Sequence, residues 1–177
     1  MSNLAELKDL PKERKKYVVG FLIDPTLSKV VLVRKNRPDY QRGLLNGVGG
    51  KVGDTILDET TEEAMAREFQ EETGGVDLNW RRFLHMMTPR SDLTFFYAIG
   101  NVHCVRTQTD EEVAVYDISD VMDRCDTMPN VRWCIQMARS IEFGEHADYF
   151  EVAEILETDL PANFHFIPDA ALEKEDL

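Results

Sequence analysis

Cysteine is scarce in this chain. Cys104, Cys125 and Cys134 are an odd number at no zinc-like spacing, which argues against a disulfide framework or a cysteine-held zinc. Buried free thiols in a reducing cytoplasm are the plainer reading. Long apolar runs are missing too, so no stretch suits a membrane span and no membrane partner is expected. The first residues, Met1 to Tyr17, are broken up by charge and lack an apolar signal core. The sequence therefore reads as one without a secretory signal, and a cytoplasmic location is the expectation. Basic residues are in deficit: 20 Lys and Arg stand against 33 Asp and Glu, a net charge of −13. Phosphate backbones reward basic surfaces, so no stable nucleic-acid complex is expected. A small phosphorylated substrate stays open, because a bound divalent cation reverses local charge. An acidic surface also simply maintains solubility. No internal repeat or low-complexity linker is present.

Hydrophobic residues make up 43% of the 177 positions, enough to fill the core of one domain with an appendage. Tyr17 to Ile23 is β-branched and aromatic and predicts a strand. Asp24-Pro25 marks a turn, and Lys29 to Val33 its hairpin partner. Arg34 to Leu45 reads as a loop. Gly47 to Gly53 holds four glycines in seven positions. Thr60 to Thr73 predicts a helix: Thr60 with Glu63 fits a capping box, and Gly74-Gly75 supplies the stop. Ala64, Met65, Phe69 and Ala66 give that helix its apolar side. Further strands are predicted at Trp80 to Met87, Leu93 to Ile99 and Val113 to Ile118. Helical spacing covers Val131 to Phe143, and another helix is read over Ala147 to Glu157. The pattern suggests an α/β fold with a mixed sheet between helical layers. It divides the chain into a lead-in over 1–16, a domain over 17–143, and a helical or partly flexible extension over 144–177.

The chemistry concentrates in Arg67-Glu68-Phe69-Gln70-Glu71-Glu72. Residues three and four apart share a helix face, so Glu68, Glu71 and Glu72 point the same way and repel one another. A hard divalent cation is their natural partner, since Mg²⁺ takes carboxylate, water and phosphate oxygens. A glutamate-rich exposed helix is the bland alternative. The glycine-rich stretch just before it tips the balance, because bare backbone there can approach phosphate or metal.

These residues resemble the Nudix box, G-x5-E-x7-R-E-U-x-E-E-x-G-U, where U is bulky and apolar. Gly53, Glu59, Arg67, Glu68, Phe69, Glu71, Glu72 and Gly74 fit it. The final position is Gly75 instead of an apolar residue, with Val76 offered as a substitute one residue late. Gly49-Gly50-Lys51 sits three residues early for the family's usual Gly-Gly-Lys. Gly53 fits the written pattern, while Gly50 followed by a longer loop is the favoured structural equivalent. The resemblance covers roughly Tyr17 to Ser140 and implies an α/β/α sandwich with a mixed β-sheet. It also implies metal binding by Glu68, Glu71 and Glu72 and by a backbone carbonyl of Gly49 or Gly50. Arg67 would orient a glutamate, and Glu59 would support the helix or the outer metal shell. Glu68 is the first choice for a ligand that also serves base chemistry. A later-loop carboxylate, Glu111 or Glu112, would join the catalytic set; a solvated acidic turn is the other reading of either.

The implied reaction is Mg²⁺-dependent hydrolysis of a phosphoanhydride bond, with Mn²⁺ able to substitute. Lys51 and Arg34 are candidates for phosphate contact, and Asn46 and Trp133 for the base. The Asn46-to-Lys51 segment resembles that of members that clean oxidised purine nucleotides, but the paired aspartates those members carry near Pro129 are missing. The expected substrate is a small nucleotide-like molecule, a nucleoside triphosphate cut to monophosphate and pyrophosphate. ADP-ribose or a dinucleotide is the first alternative, and a non-catalytic nucleotide-sensing module is the second. Many relatives dimerise, so a homodimer is also implied.

Overall fold

The computed structural model describes residues 14–76, 78–88, 91–144 and 149–153. The chain enters the fold as a hairpin. Strand β1 (Lys15–Ile23) and strand β2 (Lys29–Arg34) are joined by a turn in which the Asp24 carboxylate accepts from the Ser28 and Lys29 amides at 2.8 and 2.6 Å. A short strand β3 (Leu45–Asn46) returns beside β2. Strand β4 (Arg81–Met87) pairs antiparallel with β5 (Ser91–Ile99), and β5 runs parallel to β1 in unbroken register from Lys15–Ser91 to Ile23–Ile99. Strand β6 (Glu112–Asp117) pairs antiparallel with β2, and β7 (Phe150–Ala153) pairs parallel with β4. Among the described residues the result is a seven-stranded mixed sheet.

Helix α1 (Thr61–Thr73) lies on one face of this sheet; α2 (Ile118–Asp123) and α3 (Pro129–Glu142) lie on the other. Because successive residues of a strand face opposite ways, β1 serves both cores. Val18 and Leu22 join Ala64, Met65 and Phe69 of α1, whereas Val19, Phe21 and Ile23 join Ile118, Val131, Ile135 and Ala138. In β4 a bulge between Arg82 and Leu84 lets Phe83 and Leu84 both reach the α3-side core. The expected α/β/α sandwich is therefore the observed fold.

Local signals explain α1 closely. Thr60 Oγ1 accepts from the Glu63 amide at 3.2 Å, and the Glu63 carboxylate accepts from the Thr60 amide at 2.9 Å. Gly74 ends the helix in the left-handed conformation, at φ 61°. Two expectations need correction. Residues 150–153, read as part of a helix over 147–157, form β7; residues 147, 148 and 154–157 lie outside the described residues. Val76 is 67% exposed and takes no packing role. Gly75 itself fills the place, so tightly against the Phe69 ring and Thr73 Oγ1 that no larger residue fits.

Candidate active site

The α1 carboxylates do not all lie alike. The side chains of Glu68 and Glu72 are 13% and 10% exposed and turn in towards the Gly49–Gly50 loop; that of Glu71 is 50% exposed. The loop is drawn under the helix by β1, whose Val18 amide donates to the Gly50 carbonyl at 2.9 Å. Glu72 Oε2 accepts from the Gly49 amide at 3.3 Å. A Cβ on Gly50 would sit 2.5 Å from the Glu68 carboxylate, so only glycine lets backbone and carboxylate meet there. Gly53 has a different task. Its amide donates to Glu59 Oε2 at 3.0 Å, which ties the longer loop to the start of α1.

Arg67 organises the outer side. Its guanidinium donates to Glu59 at 2.7 and 3.0 Å, to Glu68 at 2.9 Å, to Glu71 at 3.1 Å and to the Lys51 carbonyl at 3.3 Å. Glu59 is the fixed end of this network, since its side chain is fully buried. The Arg67 bond holds the Glu59 carboxyl below its usual range, and Glu59 in turn raises Arg67. Burial pushes Glu68 up, with Arg67 opposing. Burial also pushes Glu72 up to about 7, against the pull of Lys35 and with Glu68 and Glu111 adding to the rise.

Lys35, just past β2, faces these acids. Its side chain is 12% exposed; Nζ is 3.5 Å from Glu72 Oε1 and forms an ion pair with Glu111 Oε2. Glu111 is itself buried, and its other oxygen accepts from the Asn36 amide at 2.7 Å. Among the described residues, no three acidic, imidazole or thiol side chains converge closely enough to ligate one ion as they stand. The donor set nevertheless fits a hard divalent cation: the Glu68 and Glu72 carboxylates meet backbone freed of side chains at Gly50 and Gly49, and Lys35 links buried Glu111 to Glu72.

A cleft of about 260 Å³ opens beside this cluster. Lys35, Gly49 and Gly50 line its border with the acids, Tyr17, Val19, Leu93, Pro38 and Tyr40 give it apolar wall, and Asn46 and Gln41 offer amides. Of the residues singled out in the sequence, Asn46, Gly49 and Gly50 line this cleft. Arg34, Lys51 and Trp133 do not. Arg34 donates to the Gly43 carbonyl at 2.6 Å and to Asp126 at 3.1 Å. Lys51 pairs with exposed Asp54 at 2.8 Å. Trp133 packs against the α3-side core. Glu112 is exposed at the start of β6, so of the two acidic candidates there only Glu111 reaches the cluster. Lys35, Tyr17, Gln41 and Tyr40 also line the cleft, and no motif or spacing in the sequence marks them.

The sequence profile of the NUDIX domain matches residues 13–169, and the chain belongs to the Nudix family. It is a hydrolase acting on pyrophosphate bonds, in a family that acts on nucleoside diphosphate derivatives generally and uses a divalent metal ion such as Mg²⁺. Solved structures share its fold. The NUDIX domain of Shewanella oneidensis NrtR, complexed with ADP ribose, superposes with a TM-score of 0.64 at 20% identity, over 80% of this chain and 99% of that one. A MutT from work on the Aliivibrio salmonicida and Vibrio cholerae proteins gives 0.60 at 22% identity, over 72% and 99%. A NUDIX hydrolase from Nitrosomonas europaea gives 0.60 at 16% identity, over 81% and 80%. No curated protein matches the sequence. Among the described residues, no helix is long and apolar enough to cross a membrane.

Proposed function

We propose that the chain is a Mg²⁺-dependent pyrophosphohydrolase of nucleoside triphosphates, releasing the monophosphate and pyrophosphate. The observation that carries this reading is the cleft itself. It borders the buried acids where Lys35, Gly49 and Gly50 line it, and its aromatic and apolar wall gives room for one base. A triphosphate chain beside the acids and a base against Tyr17 and Tyr40 use both parts.

Glu68, Glu72 and Glu111 would hold the metal with a carbonyl of the Gly49–Gly50 loop. Bound there, a divalent cation would neutralise phosphate charge and make water a better nucleophile. The protein's own part is positioning. Arg67 fixes the Glu68 carboxylate, Glu59 fixes Arg67, and the Gly49 amide holds one oxygen of Glu72. A carboxylate of this buried set accepts the proton of the attacking water. Asn46 keeps Nδ2 towards Gln41 at 3.5 Å while Oδ1 accepts from the Gly47 amide at 2.8 Å, so its amide is oriented at the cleft wall.

ADP-ribose is the second reading. It is favoured by the likeness to a NUDIX domain solved with ADP ribose and by a wall that takes a single adenine as well. A panel of normal and oxidised nucleoside triphosphates, ADP-ribose and dinucleotides, with and without Mg²⁺ and with products weighed by mass spectrometry, separates them. Monophosphate and pyrophosphate from a triphosphate support the first reading. AMP and ribose 5-phosphate from ADP-ribose alone would replace it with the second. Glu72→Gln, which removes one charge and little volume, should fold and lose turnover about 100-fold or more. Full activity in that variant would sink the assignment of the acid cluster.

A further inference from the structure

We infer that Lys35 is a built-in counter-ion, which holds Glu72 and Glu111 when no divalent cation is bound and must yield them when one binds. This rests on the reading that Glu68, Glu72 and Glu111 hold the metal. The three side chains of the ion-paired group are nearly closed to water: 12% exposed for Lys35, 10% for Glu72 and 4% for Glu111. Two desolvated carboxylates without a cation would be costly, and an ammonium between them offsets that cost. Lys35 Nζ supplies it, at 3.5 Å from Glu72 and in direct ion pairing with Glu111.

The arrangement is directional. Arg67 serves the other acids, contacting Glu59, Glu68 and Glu71 but neither Glu72 nor Glu111. Glu111 has its second oxygen committed to the Asn36 amide, so the oxygen facing the site is the one Lys35 occupies. An ammonium cannot ligate a metal, and its charge opposes a dication drawing on the same oxygens. Lys35 and the cation therefore compete for the same negative charge. The lysine has somewhere to go, because it also lines the cleft. Metal binding then becomes an exchange of one cation for another, with affinity tuned down by the resident one.

The test uses the full chain and metal alone, without nucleotide. Mg²⁺ and Mn²⁺ affinities are measured by calorimetry, and melting is followed in EDTA and in saturating MgCl₂. Lys35→Met keeps the stem and removes the charge. It should melt about 4 °C or more below wild type in EDTA, gain more from MgCl₂ than wild type does, and bind Mg²⁺ about fivefold tighter or more. Lys35→Arg, which keeps the charge, should bind metal nearly as wild type does. If Lys35→Met fails to fold, Lys35→Gln carries the same expectation. Unchanged or weaker Mg²⁺ binding in the uncharged variant overturns the inference and makes Lys35 a structural strut. The underlying reading fails in a different way: wild type would then take up neither metal, and Glu68→Gln and Glu72→Gln would titrate like it.

Discussion

Gly50 sets how near the loop backbone comes to the half-buried Glu68 carboxylate. With a Cβ only 2.5 Å from Glu68, Gly50→Ala must push the loop or the glutamate aside. The expected outcome is a folded protein, melting within a few degrees of wild type, with kcat/KM down about 10-fold or more. A wild-type rate at a wild-type melting temperature would show that the contact is dispensable. At this scale the sequence was legible wherever identity and spacing coincide, as in Arg67, Glu68 and Glu72 beside a glycine run. It was not legible at Arg34 and Lys35. Strand β2 is buried on both faces from Val30 to Val33, so no polar alternation tells which of two successive cations turns to the acids. Pairing with Asp126 takes Arg34 away, and that partner lies 92 residues on. Glu111 and Glu112 posed the same ambiguity, and the register of β6 against β2 resolved it.

Elements differed in how openly they declared themselves. Helix α1 carries its start and stop within its own sequence, in Thr60, Glu63 and Gly74, and was read to within a residue. Helix α2 has six residues and no side-chain cap bond, so nothing local announces it. Strand β7 exists through its pairing with β4, a partner that periodicity cannot supply. The approach to α3 is another such long-range tie. Asp126 accepts from Arg124 at 2.7 and 2.6 Å and from Arg34 at 3.1 Å, and its own backbone carbonyl takes the Leu45 amide at 2.8 Å. Arg124 foremost, then Arg34, hold the Asp126 carboxyl down at about 2. A folded-state value below the ordinary 3.8 means this contribution is present above about pH 4 and is lost as pH falls through 2. Asp126→Asn should therefore melt below wild type at pH 6, with the gap closing by pH 2. A gap that stays constant across that range would detach the pairing from stability.

As a whole, the molecule is two cores sharing one sheet, and its outer strands decide what the sheet's edges meet. Among the described residues the sheet ends beyond β4 at β7, whose Phe150 packs partly buried against the α3-side core. Ending the chain after Gly144 would leave the outer edge of β4 without that partner. Such a chain should melt lower than the full one and elute as larger species in size-exclusion chromatography, because an open edge invites pairing between molecules. Monomeric elution with an unchanged melting point would show that β7 is ornamental to the sheet. The sandwich as a class was readable from the order of predicted elements, while strand order was not, since the central pairing joins distant parts of the chain.

That central pairing also has a bearing on how the protein is made. The register of β1 on β5 matches residues 15–23 with residues 91–99. Until the later stretch has left the ribosome, the first hairpin has no parallel neighbour, and Val19, Phe21 and Ile23 wait longer still for α2 and α3. Contacts so far apart in sequence slow folding and lengthen the time that apolar strands stand unmatched. The early part of the chain is thus most exposed to aggregation while it is being synthesised.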